Sequence, residues 1–303
     1  MFSSQLYNQQ TTWDEIKSVL MTMEYGRWES AYFYDHFVPP WHNDLNVVES
    51  DSFPTFEGLT LMAGASAVTC KLKLGVLVCG NTYRNPALMA KMVATMDEMS
   101  FGRAQYCIGA GWNVREHAAY SWEFPSMKER SDRLEEACEL VHLLFTSTDL
   151  VNYEGKYYSL KDAPFAPRGY NGRKIPIMVG GNGEQRTLKT CAKYADICNL
   201  VGVSPDQVRH KKQVLERHCE AVGRDPSDVK MTAHVPMRII RDEEHAKRAR
   251  RDREWLMIGS PNYVVDRAKD YIDAGVEEFM LQSIQQKPWV YAELNEEIFA
   301  AFD

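Results

Sequence analysis

The sequence has no charged leader ahead of an apolar stretch at its start, MFSSQLYNQQ. Nor does it contain a run of about 18 apolar residues anywhere, so nothing in it reads as a secretion signal or a membrane-spanning helix. It lacks a C-x-x-C pair. Its 7 cysteines (Cys70, Cys79, Cys107, Cys138, Cys191, Cys198, Cys219) are scattered along the chain, which suits free thiols in a reducing compartment and not a disulfide or zinc framework. Positive charge is not in excess: Lys and Arg total 35 against 42 Asp and Glu, a net charge of -7. That balance argues against nucleic acid as a partner, because phosphate backbones need clustered cations. The one basic stretch, 247–253, is flanked by Asp242, Glu243, Glu244 and Glu254 and reads as a solvated helix face. No complete G-x-G-x-x-G, G-x-x-x-x-G-K-[ST] or G-x-S-x-G pattern occurs. Together these absences point to a cytoplasmic protein that works on neither membranes nor nucleic acid.

What is present is enough to build a large core: 303 residues, 45% of them hydrophobic and 25% charged. Strand-like and helix-like segments alternate. Strands are expected over 2–7, 31–34, 72–79, 103–109, 175–180, 195–200, 229–240 and 277–282, each followed by at least one helix. Thr11 or Thr12 caps the first helix, Pro86 opens the third, and Ser260-Pro261 starts the one over 262–274. Residues 38–54 and 111–125 read as long loops, and 151–160 as an exposed hairpin turning at Glu154-Gly155. Eight βα units with insertions and no linker predict an α/β chain forming one (β/α)8 TIM barrel domain over 1–303.

In such a fold ligands sit at the carboxyl ends of the strands. The strand-loop-helix-strand unit over 74–111 therefore directs Val78, Cys79 and Asn81 on one side, and Gly109, Ala110 and Gly111 on the other, to a single pocket. Gly180-Gly181-Asn182-Gly183-Glu184 follows another apolar strand, and the next helix is expected over 184–193. Its glycines and the start of the next helix favour a phosphate, and a tight turn without ligand fits the same residues. His36 ends a strand beside Asp35, as a proton-transferring histidine oriented by its neighbour would, or as a structural Asp-His pair. His42 and His117 fall on long loops with no spacing that groups them with His36 as metal ligands, and no metal is expected. His142, His210 and His218 fall on helices. Cys79 also reads as a small buried hydrophobe. Trp41, Phe53, Phe56, Trp112 and Trp122 form either a wall for a planar ligand or ordinary core.

Several blocks, in this order and spacing, resemble the luciferase-like monooxygenase superfamily, and within it the coenzyme F420-dependent branch. They are D-H-F-V-P at 35–39, L-G-V-L-V at 74–78, G-N-T-Y-R-N-P-A-L at 80–88, M-D-E-M-S-F-G-R at 96–103, G-A-G-W at 109–112, R-S-D-R-L-E-E at 130–136, G-K-Y-Y at 155–158 and G-G-N-G-E at 180–184 with Tyr194-Ala195-Asp196. The resemblance implies a bacterial luciferase-like barrel binding F420, or alternatively FMN, at the strands' carboxyl ends. Asp35 and His36 would lie near the ring, with His36 as proton carrier. Residues 77–79 would back the ring, often through a non-prolyl cis peptide, and Ala110, Gly111 and Gly180 to Glu184 would line the ribityl and phosphate part. Trp41 and Trp112 would face a small organic substrate. Trp112 stands where sugar-phosphate dehydrogenases of this branch carry a glutamate, and their cationic phosphate-binding set has no counterpart, which implies a more apolar or planar substrate. The activity implied is hydride transfer between the deazaflavin and that substrate. Two alternatives are a two-component FMN-dependent monooxygenase using FMNH2 and O2, and a non-catalytic flavin-binding protein. Relatives are commonly homodimers, and a flavin or F420 reductase is a partner.

Overall fold

A computed structural model describes residues 1–38 and 54–302. Among these, nine parallel strand segments run in the order β3 (Lys73–Val76), β2 (Ser30–Phe33), β1 (Phe2–Gln5), β12 (Glu278–Gln282), β10 (Lys230–Ile239), β9 (Ile197–Val201), β8 (Ile177–Gly180), β5 (Tyr106–Gly109) and β4 (Cys79–Gly80). Segments β3 and β4 are two pieces of one strand interrupted at Leu77-Val78, where the peptide bond is cis. A parallel bridge from Leu74 to Ala104 brings that strand against its other neighbour. The ring is thus the expected eight-position parallel barrel. The registers Phe2 to Phe279, Gly80 to Gly109 and Gly180 to Asn199 set the strand ends level. A short β11 (Met257–Gly259) extends β10, and the antiparallel hairpin β6 (Val151–Glu154) and β7 (Ser159–Ala163) stands outside the ring.

The helices form where the sequence supplies starts and one apolar face. Helix α1 (Trp13–Tyr25) opens on a capping box of Thr12 and Glu15 and buries Ile16, Val19, Leu20 and Met23 against the barrel. Helices α2 (Gly58–Val68) and α3 (Pro86–Met99) are capped by the side chains of Glu57 and Asn85. Helix α5 (Met127–Thr146) is capped by Ser126, α7 (Pro205–Val222) by a Ser204 and Gln207 box, and α9 (Pro261–Asp273) by Ser260. Helix α10 (Pro288–Glu297) packs on α1.

Three local expectations are corrected. Helix α6 starts at Thr187 and not at Glu184, because residues 184–186 form turns and Leu188 N–H reaches back to Gly183. The stretch 111–125 is not all loop: Asn113 accepts from the N–H groups of Arg115 and Glu116 and nucleates α4 (Val114–Ala119). The basic stretch lies on α8 (Glu243–Arg250) as a helix face, but Arg250 is buried, bonded to Glu243, Glu254 and the Ile258 carbonyl.

Apolar side chains between strands and helices form the main core, and Tyr32, Leu77, Cys107, Met178, Ile197 and Met280 fill the barrel interior. At the amino-terminal end Glu278 closes the interior, accepting from Ser3, from Ser30 at 3.0 Å and from Lys230 at 2.6 Å. With that end plugged, the opening is at the carboxyl ends.

Candidate active site

Strand β2 runs on into Tyr34, Asp35 and His36, which face a cleft of about 970 Å³ at the carboxyl ends of the strands. Neighbouring Asp35 and His36 have separate partners. Both Asp35 carboxylate oxygens take the Arg84 guanidinium, at 2.8 and 2.9 Å, and one also accepts the Gly80 N–H at 2.9 Å. Burial pushes the Asp35 carboxyl up, and the Arg84 guanidinium in this two-pronged pair opposes that. Arg84 also bonds Glu57 at 2.5 Å. Asp35 is therefore a strut between β2 and β4, and it does not orient His36 as its place in the sequence suggested.

Glu116 on α4 orients the ring. Its carboxylate lies 3.0 Å from His36 Nδ1, accepts the Phe37 N–H at 2.7 Å and the Tyr83 hydroxyl at 2.6 Å, and is fully buried. Burial alone would raise the Glu116 pKa, but the hydrogen bonds from His36, Tyr83 and Phe37 outweigh it and hold the group below the ordinary carboxylate value. A carboxylate can only accept, so Nδ1 carries the proton and Nε2 is the nitrogen left for the cleft. This is the arrangement of a general base or acid held by a third group. Sequence reasoning missed Glu116, although Asn113 with Glu three residues on is a helix-start pattern; here the Glu side chain turns to His36 instead of the cap backbone.

The back of the cleft is the cis Leu77-Val78 segment, as the resemblance implied. Gln5 Nε2 holds the Leu77 carbonyl at 2.8 Å. Val78 projects between two glycine strand ends: a Cβ on Gly109 would meet Val78 Cγ2 at 2.8 Å, and one on Gly180 would meet Cγ1 at 2.9 Å. No larger residue fits there without moving Val78. Cys79 lines the same wall, and burial pushes its thiol well above the ordinary value, so it behaves as a small hydrophobe.

Ala110, Gly111 and the residues from Gly180 to Glu184 border the cleft. Asn182 staples its loop to β9 through both amide atoms, donating to the Val201 carbonyl at 2.7 Å and accepting the Val201 N–H at 3.0 Å. Lys211 bonds the Asn182 carbonyl at 2.9 Å and Glu184 at 3.1 Å. Trp112 stands edge-on to His36, ring centres 5.4 Å apart, and is 59% exposed at the mouth, beside Met127 at 66% and Val201 at 42%. The floor adds Gln5, Tyr34, His234 and Gln282, which the sequence reading did not single out. A polar residue at an inward strand position near the carboxyl end is the signal that would have found them.

One expected residue, Asn81, is not brought to the cleft. Asn81 is buried away from it and donates to the Tyr158 hydroxyl at 3.0 Å. Trp41 lies outside the described residues, as do His42 and Phe53. Of the other aromatics, Trp122 packs with Tyr83, Tyr120 and Phe37, outside the cleft lining, and Phe56 is also off it. Among the described residues no group of three or more His, Cys, Asp or Glu is placed to hold a metal ion.

The model of the family described as "Luciferase-like monooxygenase" matches residues 3–257. The chain belongs to the luciferase-like monooxygenase family. This luciferase-like chain is 27% identical over 293 residues to an F420-dependent glucose-6-phosphate dehydrogenase of Amycolatopsis mediterranei (strain U-32), covering 83% of each chain. It is 26% identical over 280 residues to the 5,10-methylenetetrahydromethanopterin reductase of Archaeoglobus fulgidus, covering 91% of this chain and 76% of that one. Its fold superposes with a TM-score of 0.85, at 20% identity and over 100% and 99% of the two chains, on an F420-dependent secondary alcohol dehydrogenase solved with an F420-acetone adduct.

Proposed function

We propose that the protein is an F420-dependent oxidoreductase that moves a hydride between the deazaflavin and a small organic substrate, with His36 carrying the accompanying proton. The observation that carries this reading is the His36 and Glu116 pair, which leaves one imidazole nitrogen for a ligand in front of the Val78 wall. The relatives named for F420-dependent activity support the cofactor. The site fits such a group. Glycine ends at 109 and 180 leave the backbone open around Val78, in a cradle that a Cβ at either position would fill. The cleft volume is within the range of ligand sites.

When bound, a deazaflavin supplies a ring carbon that exchanges hydride in two-electron steps. The protein's own residues do the rest. Val78 and Cys79 present an apolar wall to a planar ring, Ala110, Gly111 and the 180–184 loop border its polar tail, and Trp112 shields the side where His36 stands. His36 Nε2 takes a proton from a substrate hydroxyl as it becomes a carbonyl, or returns it in reverse, while Glu116 steadies the imidazolium.

The seven free cysteines, six of them buried, suit the reducing cytoplasm, and no helix among the described residues is long and apolar enough to cross a membrane. We take the chain as one barrel domain that pairs with a second copy through the outward stripe of α3, and that depends on a separate reductase to recycle the cofactor.

Parallel titration of the purified protein with oxidised F420 and with FMN, followed by their fluorescence, tests the reading. Micromolar or tighter F420 binding with much weaker FMN binding is expected. The reverse preference replaces the reading with an FMN-dependent monooxygenase, and tight cofactor retention without turnover replaces it with a flavin carrier.

A further inference from the structure

The charge around the cleft is one-sided. Arg186 is the single Lys or Arg among the described residues lining it, and Arg186 is paired with Asp132 beside the 180–184 loop, on the border given above to the cofactor's tail. Arg84 is committed to Asp35 and Glu57, and Lys211 to Glu184 and the Asn182 carbonyl, while Arg130 lies buried behind Met127, with its guanidinium over the Phe124 ring and outside the cleft lining. The His36 side of the site instead holds the buried carboxylates of Glu116 and Asp35. A phosphate or carboxylate placed there would lose its hydration without gaining a counter-charge, which is costly in a low-dielectric cleft.

The floor nonetheless asks for polar atoms. His234 Nε2 and Tyr34 Oη have no hydrogen-bond partner although both side chains are buried, and Gln282 borders the same surface. Unpartnered buried donors or acceptors in a ligand cleft select for a ligand that satisfies them. Trp112, Met127 and Val201 give the mouth exposed apolar surface beside the polar Asn182 and Gln185.

Resting on the F420 reading above, we infer that the substrate is uncharged and has two polar handles on an apolar or aromatic body. One handle is the hydroxyl or carbonyl that meets His36, and the other is a hydroxyl, carbonyl or amide that pairs with Tyr34 and His234. His234 cannot supply a counter-charge for an anion near neutrality, since it sits buried without an acidic partner.

The test uses the protein loaded with F420, whose binding is first established by titration; failure at that step overturns the cofactor reading itself. Aryl and alkyl secondary alcohols, matched 1,2-diols and amides, and the phosphate and carboxylate counterpart of each are then titrated, with dissociation constants read from the fluorescence of the bound cofactor. Each neutral member should bind at least about tenfold more tightly than its charged counterpart, a difference of about 1.4 kcal/mol. Equal or tighter binding of the charged members, or no neutral member binding at millimolar concentration, overturns the inference while leaving the cofactor reading in place. Tyr34→Phe and His234→Phe should each lower the preference for diols over mono-alcohols about tenfold. His234→Lys should strengthen binding of the carboxylates. An unchanged diol preference in both Phe variants overturns the second handle.

Discussion

His36 and Glu116 are 80 positions apart in the chain and 3.0 Å apart in the fold. Because the carboxylate fixes which nitrogen bears the proton, both residues should act on turnover. His36→Ala removes the proton carrier, and kcat should fall about 10²–10⁴-fold with F420 affinity kept; unchanged turnover would take His36 out of the reaction. Glu116→Gln keeps the shape and removes the charge. The imidazolium then loses its anionic partner, so kcat should fall with F420 affinity kept; unchanged turnover would show that the carboxylate does not act through His36. The same pair bears on stability. The Glu116 pKa is lowered in the fold, so its contribution is complete above the ordinary value of 4.5 and is lost as pH falls through the folded value.

At the scale of elements, the cleft depends on three strand ends meeting without side chains between them. The Leu77-Val78 interruption pushes Val78 forward, and Gly109 on β5 and Gly180 on β8 give it room. Gly180→Ala should therefore act on the site more than on the fold. Its Cβ would stand 2.9 Å from Val78 Cγ1, displacing the wall. F420 affinity should drop on the order of tenfold or more, with a stability loss within the roughly 1–3 kcal/mol of an overpacked core; fluorescence titration and thermal melts read the two effects separately. Affinity equal to that of the native protein would show that Val78 does not back the ring. Helix α4 makes a similar point. Six residues, Val114–Ala119, are too short to be stable alone, yet they put Glu116 in place because Asn113 caps them and His117 bonds both the Asn113 carbonyl and Thr82.

Over the whole molecule two properties follow from burial. His234 is buried, and desolvation lowers its pKa from 6.5 to about 4. An unfolded chain would take up that proton at higher pH, so the contribution of a neutral His234 is complete above about pH 6.5 and shrinks as pH falls toward 4. In His234→Gln the melting temperature should depend less on pH across that window, as calorimetry between the two limits would record. The second property is an unpartnered surface. Leu88, Met92 and Met99 lie on one face of α3 at helical spacing, and Leu88 and Met99 are 57% and 44% exposed, with Phe101 beyond them at 67%. If a second copy covers that face, Leu88→Glu combined with Met99→Glu should convert a dimer to a monomer in light scattering without loss of helical signal. A native protein that is already monomeric would remove the pairing from the reading.

The sequence by itself determined the alternation of strand and helix, the helix starts at Thr12, Pro86 and Ser260, the glycine strand ends, and with them the (β/α)8 ring and the face that bears the cleft. Each of these rests on residues close together in the chain, where periodicity, capping and backbone freedom act locally. It also placed His36, Val78, Trp112 and the 180–184 loop on one surface, because parallel strands bring their carboxyl ends to the same side. What the tertiary structure alone decided is who partners whom. Asp35 is adjacent to His36 in the chain but turns to Arg84, while Glu116 arrives from another loop. Asn81, one residue past the end of β4, points away to Tyr158, and His234 and Tyr34 meet the floor from strands far apart in the chain. Neighbouring side chains on a strand face opposite ways, so adjacency along the chain separates residues that the closed ring would otherwise bring together.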